Sequence, residues 1–513
     1  MISIGTRNLT VDDFFQVLYQ GADIHLDERA VGKVQEGYDF IKEYSRDKII
    51  YGINTGFGPM AQFKIDETDQ HQLQHNLIRS HSSGSGQPMA EDLSRATMLA
   101  RLNTLMLGFS GVHPETVHLL RDVLNQKVTA CIYERGGVGA SGDLVQLAHL
   151  ALNLLGEGQV WHNGAWHEAS KIFSDKKIAP LTIHLREGLA LMNGTSAMTG
   201  VGMVNLIHAR RLLKVSVLLS AITNEIMESF DDHFSKELNE TKHHNGQVRI
   251  AEAVRGILTG SKLTRKRPEH LYNKKTEEAY FSDKVQEYYS LRCVPQILGP
   301  VMDVMDHVQQ VLENEVNSVN DNPVIDPVSG DVYHGGNFHG DYVSLAMDQL
   351  KIVMTKLTML SERQLNFLLN DKLNHKLPPF LNPGRLGLNF GLQGMQFTAT
   401  STTAENQTLS FPMYVHSIPN NNDNQDIVSM GCNSALIARK VIDNAFDVLS
   451  IQAVAVTQAI DILRCRANLA PASGKFYDEM KNIMPDRVLD EPPYPLIRAV
   501  REHISGPGIT INF

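Results

Sequence analysis

Cysteine and tryptophan are scarce in this chain, at four and two residues in 513. Cys131, Cys293, Cys432 and Cys465 lie far apart and form no CxxC pair. These cysteines make neither a disulfide framework nor a zinc site, and reduced thiols suit a cytoplasm. Basic blocks are missing too. With 47 Lys and Arg against 57 Asp and Glu the net charge is −10, which argues against a nucleic-acid partner; the short basic run at 262–267 reads as a solvated loop. Residues 1–14 carry Arg7, Asp12 and Asp13 and no apolar core, so no secretory signal is expected. No membrane span is expected either. The longest apolar candidate, 435–463, is interrupted by Arg439, Lys440, Asp443, Asp447 and Asp461. No short repeat is visible.

What remains is an ordinary globular composition, 42% apolar and 20% charged, long enough for two or three domains or one elongated helical assembly. The first two hundred residues are mixed. Glycine- and serine-rich turns at 51–58, 80–86 and 136–142 alternate with short helices, and Asn163-Gly164 within the strand-like piece 158–165 reads as a hairpin turn. Beyond them the pattern is helical. Val301, Val304, Met305, Val308, Val311 and Leu312 recur as one helical face. The runs 342–373 and 433–463 contain no proline and would each extend roughly 45 Å at 1.5 Å per residue. The expected fold is mainly α: a mixed α/β domain over 1–200 and an elongated helical bundle over 201–513 that also buries helices between subunits. Polar loops interrupt the bundle at Asn320-Asp321-Asn322-Pro323, at His334-Gly335-Gly336-Asn337-Phe338 and at 419–426. Three such loops on one helical frame point to function.

The segment Gly136-Gly137-Val138-Gly139-Ala140-Ser141-Gly142-Asp143-Leu144 lies between an apolar run, 128–133, and a helical one, 143–155. Gly137, Gly139 and Gly142 fit a dinucleotide-binding turn. That reading, a nicotinamide-dependent oxidoreductase, requires an acidic residue about twenty positions on at a strand end. Here Trp161-His162-Asn163 stands in that region, and the strand–helix rhythm of a doubly wound sheet is absent. A nucleophile elbow fails because Asp143 occupies the position of its last glycine. The alternative is chemical. Attack of the Gly142 nitrogen on the Ala140 carbonyl closes a five-membered ring. Loss of water there and from Ser141 then leaves a 4-methylidene-imidazol-5-one (MIO), an electrophile that can capture an amine. Small residues permit the close backbone approach, and the amino end of the following helix lies beside it. Ala-Ser-Gly is common by chance, so on the tripeptide alone a plain loop, and a non-catalytic helical assembly protein, remain open.

Residues 137–144 resemble the prosthetic-group signature of the aromatic amino acid ammonia-lyases and 2,3-aminomutases. The similarity continues in order through Tyr51-Gly52-Ile53-Asn54-Thr55-Gly56-Phe57-Gly58, Asn193-Gly194-Thr195-Ser196, Tyr289-Ser290-Leu291-Arg292-Cys293, Asp321-Asn322-Pro323, Gly335-Gly336-Asn337-Phe338 and Asn424-Gln425-Asp426. Within that family the chain looks most like the bacterial tyrosine ammonia-lyases, through Arg79-Ser80-His81-Ser82-Ser83-Gly84.

The resemblance implies an MIO formed from Ala140, Ser141 and Gly142, with no metal and no external cofactor. It implies a homotetramer whose active sites draw on three subunits, acting on a small aromatic amino acid. Tyr51, otherwise a core aromatic before a glycine turn, becomes the general base; free tyrosine has a pKa of about 10 and needs nearby donors or positive charge. Arg292, otherwise a surface ion-pair partner, would clamp the substrate carboxylate with its planar fork. Tyr289 would stand beside the prosthetic ring, while Tyr288 reads as packing. Asn193 and Gln286 would be polar groups around ring and carboxylate, although short Gln–Tyr spacings recur by chance. Phe338 would wall the ring, and Asn322 would support its loop. Ser80 and His81 would read the substrate ring, His81 pairing with a tyrosine hydroxyl. Histidine lyases of the family share Ser-His there and carry glutamate where Gln425 stands; phenylalanine lyases tend to an apolar pair at 80–81. The expected reaction is therefore elimination of ammonia from L-tyrosine to trans-4-coumarate. Histidine ammonia-lyase giving urocanate, phenylalanine ammonia-lyase and tyrosine 2,3-aminomutase are the alternatives.

Overall fold

The computed structural model describes residues 1–272, 277, 279–281, 284–484 and 490–506. Helix dominates, and the described strands form four small sheets. The chain divides into two compact units. One comprises Met1–Ile207, His307–Gln349 and Pro412–Arg439, the other His208–Asp306, Leu350–Phe411 and Lys440–Phe513. The first crossover lies close to the 200/201 boundary read in the sequence, and two later segments rejoin the first unit. Four of the crossovers fall inside helices, Ser196–Ile226, Val294–Val316, Asp341–Leu369 and Gly431–Leu463, so no linker composition marks them.

In the first unit the Glu91–Leu105 helix is buried along its length from Leu93 onward. It has no polar face to turn to water, as a helix at the centre of a core must. The sheets are short. Ile2–Ile4 runs parallel to Ile24–Leu26, Ser85–Pro88 antiparallel to Tyr133–Arg135, and Val324–Asp326 antiparallel to Asp331–Tyr333. Gln159–His162 and Ala165–Glu168 form the expected hairpin, which extends beyond the predicted piece. Asn163 (φ 50°) and Gly164 (φ 83°) take the two left-handed positions of its turn. The strand before the glycine loop thus belongs to an antiparallel pair, and no parallel βαβ sheet surrounds it among the described residues. The dinucleotide reading has no frame here.

In the second unit, side-chain amides tie the long helices together. Gln364 of Asp341–Leu369 exchanges hydrogen bonds with Ser220 of Ser196–Ile226 and accepts one from Gln452 of Gly431–Leu463. The helix expected over 342–373 ends at Leu369, because the Asn370 side chain accepts from Lys372 N and starts a new turn, Asp371–Asn374. The basic run at 262–267 is not simply solvated. Arg265 pairs with Glu228, and Arg267 lies 2.7 Å from Asp232 and stacks over Phe230 at 4.3 Å.

One sequence expectation needs correction. The Gly431–Leu463 helix is long and apolar enough to cross a membrane, with an 18-residue window of mean hydropathy 1.5. The five charges leave 448–460 uninterrupted, so counting them along the whole run understated its apolar stretch. Of that window, 72% is buried within the protein, the condition of a core helix.

Candidate active site

The glycine loop passes from the Tyr133–Arg135 strand into the Leu144–Leu154 helix and is stitched in place by backbone contacts. Asp143 N donates to Gly194 O at 2.8 Å, and Gly142 pairs with Gly194 as an isolated bridge. Gly142 has φ +71°, and a Cβ there would collide with the Gly194 backbone; Gly139 (φ +75°) would meet Ser429 Oγ. These glycines serve close backbone approach. Met430 N donates to Val138 O at 2.9 Å and Ser429 Oγ to Gly139 O at 2.9 Å, which fixes the other side of the loop.

Ser141 is held at both polar ends. Asn193, the C-cap of the Glu187–Met192 helix, donates from Nδ2 to Ser141 O at 2.9 Å, and Gln425 donates from Nε2 to Ser141 Oγ at 2.9 Å. A relay supports Asn193. Its Oδ1 accepts from Asn322 N at 2.7 Å, and Asn322 Oδ1 accepts from Gly335 N at 2.8 Å. Beneath this relay, Arg186 and Asp321, both fully buried, face each other at 3.6 Å, and Arg186 Nη2 donates to Pro323 O at 2.7 Å. Gln425 sits at the end of a tight turn, paired with Asn420 through both backbone groups, with Asn421, Asn422 and Asp423 all at positive φ. Asn and Asp tolerate that region better than most residues.

Asp143 is fully buried, and its Oδ2 accepts from Met198 N at 2.8 Å, in the first turn of the Ser196–Ile226 helix. Burial pushes its carboxyl up to about 7. Two helix amino ends, those of Leu144–Leu154 and Ser196–Ile226, therefore lie next in sequence to the Gly142–Gly194 junction, and both favour negative charge there.

Ser141 opens onto a cavity of about 700 Å³, within the usual size of small-ligand sites. It brings together Tyr51, Ser80, His81, Ser141, Asn193, Asn322, Phe338 and Gln425, while Ala140 and Gly142 flank Ser141 in the loop. The Tyr51 hydroxyl oxygen accepts from Gly58 N at 3.0 Å, and the ring stands edge-on to Phe57 at 6.1 Å. His81 closes the Gln70–His81 helix, its Nδ1 3.0 Å from Leu77 O and 3.0 Å from Ser80 Oγ. A carbonyl oxygen only accepts, so the Leu77 contact needs a proton on Nδ1, and in the neutral ring Nε2 is then the acceptor. The wall also includes residues that sequence reasoning did not single out: His334, Asn421, Asn422 and Asn424, with Met60, Leu144 and Leu189 as its apolar part. The loops at 334–338 and 419–426 had been marked as polar, but nothing local distinguished these side chains from linker residues. No Asp, Glu, Lys or Arg is among the described residues that line the cavity.

Gln286, Tyr289 and Arg292 line a different pocket, in the second unit, with Lys284, Glu287 and Arg363 among their neighbours. Tyr289–Arg292 is a short helix, so the spacing of three places both residues on one face, with the Arg292 guanidinium 4.8 Å from the Tyr289 ring centre. Gln364 Nε2 donates to Ser290 O at 2.8 Å and Asn224 Nδ2 to Leu291 O at 3.2 Å, fixing the turn. Arg292 Nε is buried without a hydrogen-bond partner. Tyr288 packs on Phe367 at 5.4 Å.

A cavity built around the backbone and hydroxyl of one serine, on a helical frame, defines a class of enzyme. Residues 9–482 match the family model described as aromatic amino acid lyase, and the chain belongs to that family of carbon–nitrogen lyases. It is 38% identical to a tyrosine 2,3-aminomutase of Chondromyces crocatus, over 99% of this chain and 97% of the relative. It is 39% identical to a histidine ammonia-lyase of Geobacillus sp. (strain WCH70), over 96% and 94%. Among solved structures it superposes on the tyrosine aminomutase from Streptomyces globisporus with a TM-score of 0.93 at 35% identity, covering 98% of this chain and 96% of that one.

Proposed function

We propose that the protein is an L-tyrosine ammonia-lyase that eliminates ammonia to give trans-4-coumarate, using an MIO group made from Ala140, Ser141 and Gly142. The observation that carries the substrate choice is the cavity wall, which has no carboxylate among its described residues and offers His81 as its ring reader. His81 Nε2, left as an acceptor, suits a phenol O–H; a phenylalanine ring would leave that nitrogen unpaired. Gln425 sets a neutral amide where a carboxylate would be needed to favour a substrate imidazolium.

The loop fits the prosthetic group. Gly142 leaves no room for a Cβ, Ala140 is buried, and the Ser141 carbonyl and hydroxyl each already hold a donor. When formed, the group supplies an electrophilic alkene that takes up the substrate amine and makes it a leaving group. Asn193 Nδ2 and the adjacent helix amino ends make this the electropositive side of the cavity, where electron density is best accepted. Tyr51, oriented by Gly58 N–H, takes the β-proton. Phe338 and Leu189 supply apolar surface to the cavity wall. The elimination releases one ammonia and one coumarate per tyrosine, with no oxidant or reductant.

The substrate carboxylate calls for a cation, and no Lys or Arg lines this cavity among the described residues. Arg292, with Tyr289 and Gln286, would supply it from a second subunit of a homotetramer. Support for that reading is that the three residues share a pocket of their own and that Arg292 Nε lacks a partner.

A second reading, tyrosine 2,3-aminomutase, is favoured by relatives of that name. It shares every step up to the elimination and then returns the amine to the β-carbon. Purified enzyme incubated with L-tyrosine and resolved by chromatography separates the two. Coumarate as the main product supports the lyase, and β-tyrosine as the main product overturns it.

A further inference from the structure

Away from the lyase cavity, His113, Glu115 and His184 bring two imidazole nitrogens and a carboxylate oxygen within 4.8 Å of one another. We propose that they bind one divalent transition-metal ion of the Zn²⁺ class. His113 Nδ1 lies 3.6 Å and His184 Nε2 3.5 Å from Glu115 Oε2. Ligands at about 2.0–2.1 Å in a tetrahedral site are separated by about 3.3 Å, so both distances close on an ion with small side-chain movements.

The scaffold behind the three groups is already built. The fully buried Glu187 carboxylate accepts from His113 N at 2.8 Å, His184 N at 2.6 Å and Thr116 Oγ1 at 2.7 Å, so one group anchors both histidine backbones. Its charge also favours a cation nearby. The two imidazole centres are 4.4 Å apart, and the Tyr38 ring stands edge-on to both, at 5.0 and 5.9 Å. His184 Nε2 is buried and has no hydrogen-bond partner. His113 Nδ1 caps the Pro114–Asn125 helix by accepting the Glu115 N–H at 3.4 Å, a long contact that a bond to the ion would replace. Glu115 is 63% exposed, which leaves a fourth position open to water.

The two-nitrogen, one-oxygen donor set suits Zn²⁺, with Co²⁺ as its spectroscopic substitute, better than Mg²⁺ or Ca²⁺. The ion would tie the amino end of Pro114–Asn125 to the segment leading into Glu187–Met192, the helix that ends at Asn193.

The test uses the full-length protein, stripped with EDTA and dialysed free of chelator. Zn²⁺ is titrated by calorimetry, and Co²⁺ is followed by the intense visible absorption of a tetrahedral site. One Zn²⁺ per chain is expected, with affinity at least about tenfold weaker in Glu115→Gln and in His184→Gln, both retaining wild-type circular dichroism. Zn²⁺ should raise the melting temperature of the wild type more than that of either variant at the same concentration. Binding of well under one ion per chain, or equal affinity in wild type and both variants, overturns the proposal.

Discussion

In the proposed mechanism Ser141 concentrates the chemistry, so it is the residue whose loss should be most specific. Ser141→Ala removes the hydroxyl that leaves as water, while its neighbours keep their backbone contacts. Turnover should fall on the order of 10³-fold or more with circular dichroism and melting temperature unchanged; near-normal turnover would refute the prosthetic-group mechanism. His81→Phe should lower the ratio of kcat/KM for tyrosine over phenylalanine on the order of 10²-fold, and an unchanged ratio would mean the hydroxyl is read elsewhere. Asp143 makes a prediction of a different kind. Its folded carboxyl holds a proton up to about pH 7, whereas in the unfolded chain it is lost near pH 4. The folded state therefore binds the extra proton between these values, and stability declines as pH rises across that window and levels off above it. Melting temperatures measured from pH 4 to 8 should show a shallower decline in Asp143→Asn. Ser141, Asn193 and Gln425 were legible in the sequence because each sits in a short intact motif. The buried Asp143 was quoted within one, but its charge cost was not, since burial is a property of the packed fold.

At the scale of elements, the loops carry what the helices only position. The Asn163-Gly164 hairpin and the long helices were readable from turn chemistry and from runs free of proline. The break at Asn370 was not, because a capping side chain competes with helix continuation only once Lys372 N is in reach. Asn370→Ala should cost about 1 kcal/mol of stability, read as a lower denaturation midpoint, with kcat/KM for tyrosine unchanged; an unaltered midpoint would show the cap to be idle. His334 and the asparagines at 421, 422 and 424 were given no site role for a related reason. Polar residues in an irregular segment look alike until the segment folds over a cavity, and here the relay from Gly335 through Asn322 to Asn193 and the left-handed turn before Gln425 are what bring them there.

On the scale of the whole molecule, the mainly helical fold followed from periodicity, but the division into units did not. Four of the five crossovers between them lie within helices, where composition does not change. The proposed sharing of sites between subunits has a direct test by complementation. Ser141→Ala and Arg292→Ala chains, each inactive alone, should regain part of the activity when co-expressed as mixed tetramers, because some sites then receive an intact loop and an intact arginine. No recovery in verified mixed tetramers would mean that both residues serve from one chain. The central claim, that His81, in a wall without a carboxylate among its described residues, selects tyrosine, is tested most directly by kcat/KM for L-tyrosine, L-phenylalanine and L-histidine on wild-type enzyme, followed through the ultraviolet absorbance of coumarate, cinnamate and urocanate. The predicted order places tyrosine first by at least tenfold over either rival; urocanate or cinnamate as the dominant product would contradict it.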